Sequence, residues 1–272
     1  MERKDSLNRD ELIRQARAHV QSLKLAGVEW LPVAEALPPV EGEGRKEEDS
    51  ALTTQHSPLS THHSALTTQH SPLTTQHASE DRRQALKTLA QEIAACCKCA
   101  ELVSTRTQTV FGDGGPGVEL CFVGEAPGAD EDAQGLPFVG AAGQLLNKII
   151  AACGMKREEV YICNIIKCRP PGNRTPLPNE AANCRSFLDR QLELVQPRFI
   201  CALGSCAAQN LLNSTLALGR LRGKFHDYKG TPVLCTYHPA YLLPHRNPDK
   251  KKDVWEDMKM LLARMGRPIP PK

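Results

Sequence analysis

Between residues 119 and 239 the chain repeats one pattern four times: a short apolar run, without polar alternation, that ends in a polar or turn residue. The runs are ELCFVGEA (119–126), VYICNIIKC (160–168), FICALG (199–204) and PVLCTYHP (232–239). Continuous apolar runs of this length predict strands buried on both faces. Between and after them the apolar positions change to a helical period, in AGQLLNKIIAAC (142–153), NEAANCRSFLDRQLELV (179–195), SCAAQNLL (205–212) and KKDVWEDMKMLLARM (251–265). A further helix is expected from residue 82 onward. The alternation predicts an α/β domain over 82–268 with a short, mostly parallel sheet of about four strands. Open sheets of this kind bind ligands beyond the carboxyl ends of their strands. Those ends carry GEAPG, NIIKCRPP, LGS and YHPAY.

The first 80 residues read differently. In NRDELIRQARAHVQSLKL (8–25), Leu12, Ala16, Val20 and Leu23 lie at helical spacing before Gly27, which predicts a short amphipathic helix within an extension over 1–37. The decamer SALTTQHSPL then occurs at 50–59 and again at 64–73. A tract so rich in Ser, Thr, Gln, His and Pro has little to bury, and residues 38–80 are expected to be a disordered linker.

A formal charge of +3 over 272 residues does not by itself announce a nucleic-acid partner, so such a claim must rest on where Lys and Arg lie. No apolar run approaches the roughly 20 residues that span a bilayer, and MERKDSLNRDEL has no signal-peptide core, so a cytoplasmic protein without a membrane partner is expected. In a reducing compartment eleven cysteines point to a metal or cluster more than to disulfides. Cys96 and Cys99 form a Cys-x-x-Cys pair. Cys184 and Cys201 stand at a predicted helix and a strand entrance, so the four thiolates could converge. A zinc ribbon would usually present its second pair as another Cys-x-x-Cys, so this wider spacing suits an iron–sulfur cluster at least as well as zinc. Cys97, Cys121, Cys153, Cys163, Cys168, Cys206 and Cys235 read as small buried apolar residues. No predicted strand is followed by G-x-G-x-x-G, which argues against a dinucleotide site.

In order, CCKCAEL, RTQTVFGDG, VGEAPGADEDAQGLPFVGAAGQLL, NIIKCRPPGNRTP, EAANCRSFL, PRFICALG and TYHPAYLL resemble the family-4 uracil-DNA glycosylases, over about residues 85–265. The resemblance implies a three-layer α/β/α fold and a [4Fe-4S] cluster on Cys96, Cys99, Cys184 and Cys201. It also implies a monofunctional enzyme that flips uracil out of DNA and hydrolyses its N-glycosidic bond; a monomer is expected. A non-catalytic, cluster-stabilised DNA-binding module is the alternative. That module would have no need of Phe138, Asn164 and His238 together.

Under this resemblance Phe138 is the platform on which the base stacks, and base-on-aromatic stacking contributes about 1–3 kcal/mol. Asn164 matches the uracil-reading amide, which offers a donor to O4 and an acceptor to N3–H. Cytosine would oppose donor to donor, and such mispairing of buried groups gives strong selection. His238 fits a donor aimed at O2, where charge develops as the bond breaks. GEAPG brings Gly124, Glu125 and Ala126 to the pocket. Ala126 cannot polarise water, so Glu125 is the favoured acid, with Glu131 expected beside it to exclude the thymine methyl. Asp130 and Asp132 read as a solvated acidic turn. Lys167, Arg169, Arg174 and Arg246 are expected on phosphates, and Leu242 or Leu243 as a wedge in the gap left by the flipped base.

Overall fold

The computed structural model describes residues 72–271, within the compact unit Leu66–Lys272. The amphipathic helix expected at 8–25, the extension 1–37 and most of the duplicated tract lie outside the described residues. The first described helix, α1 (Pro72–Ala94), begins inside the segment expected to be a linker, so residues 72–80 are helical. It is followed by the short α2 (Ala100–Thr105).

The sheet has five strands in the order β2-β1-β3-β5-β4. They are β1 (Leu120–Gly124), β2 (Tyr161–Asn164), β3 (Phe199–Leu203), β4 (Phe225–Tyr228) and β5 (Thr231–Thr236). β2, β1, β3 and β5 run parallel, and β4 adds an antiparallel edge that the expected four-stranded sheet lacked. The signal for β4 is the dipeptide Lys229-Gly230. Both residues have positive φ, 49° and 85°, as a two-residue hairpin between right-twisted strands demands. The second predicted strand overran, because pairing stops at Asn164 and residues 165–168 form a turn.

All five residues of β1 and of β3 are buried, because both faces of the sheet are covered. Alternation sends Cys121, Val123, Ile200 and Ala202 to one face, against α5 (Pro178–Val195) and α6 (Gly204–Leu212). Leu120, Phe122, Phe199, Cys201 and Leu203 go to the other, against α4 (Ala141–Ala152) and α8 (Lys251–Met265). In α8 the buried Val254, Met258, Leu261 and Leu262 recur at the helical period. Helices on both faces make a three-layer α/β/α domain. The short α3 (Ala129–Gln134) and α7 (Leu218–Leu221) complete the described helices. β1 is followed by β2 on one side and flanked by β3 on the other. That reversal opens a crevice at the carboxyl ends of β1 and β3.

Candidate active site and thiol cluster

A cavity of about 530 Å³ occupies that crevice, and Glu125, Glu131, Phe138, Asn164, Arg174, His238, Tyr241 and Arg246 are among its walls. Asn164 closes β2 and is 2% exposed. Its side-chain Oδ1 is buried and has no hydrogen-bond partner. A buried acceptor costs about 1–3 kcal/mol if nothing donates to it, and with no partner in the protein this oxygen is available to a donor from the cavity. Gly124, level with Asn164 in the parallel ladder, leaves that place open. A Cβ there would collide with Asn164 Oδ1 and lie 2.5–2.6 Å from the Phe138 ring.

Phe138 is 5% exposed and holds a φ of 55°, a left-handed conformation that bulky residues seldom adopt. Strain of that kind costs about 1–3 kcal/mol and persists only where the surroundings over-determine it. Its ring lies 5.5 Å, centroid to centroid, from the His238 imidazole at an interplanar angle of 33°. Two walls of a slot for a flat molecule are thereby fixed.

His238 follows β5 and opens the 3₁₀ turn Pro239–Leu242, where its Nδ1 accepts the Ala240 N–H at 3.1 Å. An Nδ1 that accepts leaves the proton of the neutral ring on Nε2. Burial pulls the His238 pKa down to about 4; the Glu131 carboxylate opposes this and the Arg246 guanidinium adds to it. At neutral pH the ring is therefore an uncharged Nε2–H donor. Gly204, at φ +89°, lets the end of β3 approach this ring, since a Cβ would sit 3.0 Å from the His238 Cβ.

The two acids differ. Burial raises the Glu125 pKa and a hydrogen bond with Thr175 lowers it, for a net rise. The Glu131 carboxylate is engaged by backbone: Oε1 accepts from Val139 and Gly140 N–H, each at 2.9 Å, and Oε2 from Gly128 N–H at 3.1 Å. It braces the GEAPG loop against the Phe138 turn. Asp132 is not solvated as expected. It is 2% exposed and accepts the Thr107 N–H at 3.0 and 2.9 Å.

Two expected DNA contacts, Lys167 and Leu242, are corrected. Lys167 is fully buried, its Nζ donating to the Asn164 carbonyl at 2.9 Å and to Gln191 Oε1 at 2.5 Å, so it supports the strand end from within. Leu242 is 1% exposed, because the 3₁₀ turn directs it into the core beside Phe138 and Val254. Arg174 is held by Glu180 at 2.7 and 2.9 Å and by Glu101 at 2.9 Å. Arg169 is bonded to Asn173 at 2.8 Å. Arg246 is exposed at the cavity rim, beside Tyr241, which is 38% exposed. Tyr241 had no part in the sequence reading; its ring stacks on Tyr237 at 5.3 Å.

The cysteines also sort differently. Cys201 lies in the middle of β3, fully buried on the face of Cys153, whereas Cys184 packs on the opposite face. Strand alternation therefore puts the sheet between Cys201 and the others. Cys168, just past β2, takes its place. Burial raises the Cys168 thiol, the adjacent Arg106 guanidinium lowers it, and the sulfurs of Cys96 and Cys99 raise it. Cys184, pushed up to about 11 chiefly by burial, is near enough to feel both Cys168 and Cys99. Arg106 donates to Cys168 Sγ and to the Cys96 carbonyl, both at 2.9 Å, and Asn183 Nδ2 to Cys99 Sγ at 3.4 Å. Cys96, Cys99, Cys168 and Cys184 thus lie near one another as a group of four thiols. Among the described residues no three His, Cys, Asp or Glu side chains converge tightly enough for a single metal ion.

The family description "Uracil DNA glycosylase superfamily" matches residues 111–259. The type-4 uracil-DNA glycosylase of Archaeoglobus fulgidus is 41% identical over 195 residues, covering 69% of this chain and 96% of the relative. That of Thermotoga maritima is 40% identical over 179 residues, covering 65% and 93%. The type-5 uracil-DNA glycosylase of Pyrobaculum aerophilum is 31% identical over 180 residues, covering 54% and 79%.

Proposed function

The chain belongs to the uracil DNA glycosylase superfamily, with the type-4 enzymes, and from that membership we propose that it excises uracil from DNA at the Phe138–Asn164–His238 cavity, leaving an abasic site. It acts as a hydrolase of N-glycosyl bonds in DNA repair. The observation that carries the pocket assignment is the buried, unpartnered Oδ1 of Asn164 facing a slot walled by an aromatic ring.

A flipped uracil stacks on Phe138, and unstacking it from the duplex costs a few kcal/mol that this contact offsets. Asn164 Oδ1 accepts N3–H and its Nδ2 donates to O4. As the bond from N1 to C1′ breaks, the electron pair stays on the base and its charge spreads to O2. The His238 Nε2–H donor meets O2 there. A preorganised donor of this kind contributes about 2.7–4 kcal/mol. A neutral donor suits the task, because it stabilises the leaving base without having to transfer a full proton. Water then adds its oxygen to C1′ of the oxocarbenium-like sugar, and Glu125 takes the proton. A carboxyl whose pKa is raised by burial is nearer the operating pH, as a general base should be. Backbone groups of Ala126 complete the floor beside it.

Cys96, Cys99, Cys168 and Cys184 would hold a [4Fe-4S] cluster. Bound there, the cluster would tie the segment after α1 to the end of β2 and to α5. Arg246 and Tyr241 at the rim face the DNA flanking the flipped nucleotide.

The test is a labelled oligonucleotide with one uracil, beside thymine and cytosine controls, followed by alkaline cleavage of abasic sites. A cut confined to the uracil strand and lost in Asn164→Ala and His238→Ala is expected. No cut by protein that carries its iron and sulfide would favour the cluster-stabilised DNA-binding module instead.

A further inference from the structure

We infer that Arg157 is a positioning residue for base recognition: its guanidinium sets the spacing between the Phe138 ring and the Asn164 amide. The inference rests on reading the cavity as the uracil pocket. Arg157 opens the 3₁₀ turn Arg157–Glu159 that leads into β2, and its side chain is 21% exposed. Four hydrogen bonds fan out from it. Nη2 donates to the Pro137 carbonyl at 2.6 Å, and Nη1 to the Phe138 carbonyl at 3.1 Å. Nη1 also reaches Asn147 Oδ1 on α4 at 2.9 Å, and Nε reaches Asp113 Oδ2 at 3.0 Å.

Those acceptors belong to the two halves of the base slot. The Pro137 and Phe138 carbonyls are the turn that carries the stacking ring. Asp113 is fastened to the strand that carries the reading amide, since Asp113 N–H donates to the Ile162 carbonyl at 2.9 Å and Ile162 N–H returns to the Asp113 carbonyl at 2.8 Å. Ile162 lies two residues before Asn164 in β2. One planar, rigid fork therefore joins ring to amide through a single bonded path.

The turn needs such a clamp. Phe138 at φ 55° does not hold itself there, and the direction of its carbonyl in that conformation is what Arg157 fixes. On the other side Gly143 lets α4 close onto the same carbonyl, where any Cβ would collide with it. The amides that follow, of Val139 and Gly140, are taken by Glu131. Carbonyls held by Arg157 and amides held by Glu131 leave the Phe138 peptide one orientation.

A positioning role differs from a general staple of the fold in one measurable respect: the loss must travel through the ring. The experiment compares full-length parent, Phe138→Ala, Arg157→Met and the double variant. It measures single-turnover uracil excision and inhibition by free uracil. Arg157→Met is expected to slow excision about 10- to 100-fold, the scale of a displacement near 1 Å, and to raise the uracil inhibition constant in parallel. In the Phe138→Ala background the same change should cost less than about threefold, because coupled residues fail additivity. Asp113→Ala, which cuts the path to β2 and spares the carbonyl bonds, should show the same pattern, and it carries the test if Arg157→Met does not fold. Equal losses in both backgrounds, or an Arg157→Met enzyme within twofold of the parent, would overturn the inference while leaving the glycosylase reading intact. A parent without turnover would remove both.

Discussion

Replacing Asn164 by Ala should lower activity and leave the protein as stable as before or more so. Asn164 Oδ1 is a buried acceptor without a partner in the protein, a cost of up to about 1–3 kcal/mol that the substitution removes. The deleted atoms border a cavity of about 530 Å³, so water fills their place and no sealed void forms. Lost packing offsets about 1 kcal/mol of the gain, for a net change between zero and about 2 kcal/mol in favour of the variant. For a domain of this size each kcal/mol moves the melting temperature by about 2–4 °C. In the transition state the same change removes two hydrogen bonds to uracil, about 1–2 kcal/mol each, or roughly 30- to 1,000-fold in rate. Thermal unfolding and single-turnover excision from one preparation test both signs. A variant that melts more than about 3 °C lower while excising uracil within threefold of the parent would refute the reasoning, because Asn164 would then be a structural amide.

Four further outcomes follow from the same geometry. The His238 ring should remain neutral with its proton on Nε2 down to about pH 5 by nitrogen-detected NMR. Its folded pKa of about 4 lies below the ordinary 6.5, so its contribution to stability is complete above 6.5 and falls, by at most about 1.4 kcal/mol per pH unit, as pH drops toward 4; His238→Ala should flatten that slope in denaturant titrations. Cys168→Ser should lose iron and inorganic sulfide in anaerobic assay, whereas Cys201→Ser should keep about four of each. Lys167→Met should destabilise by about 1–3 kcal/mol for each acceptor it abandons and leave the salt dependence of DNA binding unchanged, while Arg246→Ala reduces that salt slope by about 1. Gly124→Ala should fold yet lose inhibition by free uracil, since its methyl group fills the slot between Phe138 and Asn164.

The sequence alone determined the layers of this domain, because strands buried on both faces must be apolar without interruption and the helices that cover them must be periodic. It also placed Glu125, Asn164 and His238 at strand ends, and so near one another, since parallel strands carry all their carboxyl ends to one edge. Which side chain reaches that edge, and which turns inward, depended on local geometry that composition does not encode. Lys167 looked like a phosphate ligand until the turn after Asn164 directed it into the core, where Gln191 and a strand-end carbonyl satisfy it. Leu242 looked like a wedge until a 3₁₀ turn buried it.

The cysteines show the division most sharply. Reading VYICNIIKC as one strand made Cys168 an interior apolar residue and left Cys201 as the fourth thiol; the strand ends four residues earlier, and the period of two places Cys201 on the far face of the sheet. The clamp on Phe138 had no local signal either. Arg157, Asp113 and Asn147 are separated by 44 and 10 residues in sequence. Only the packing of α4 on the Arg157–Glu159 turn, with Asp113 fastened to Ile162 of β2, brings these acceptors around one guanidinium. Residue type and period decide what is buried, and the tertiary fold decides which polar groups must then find each other.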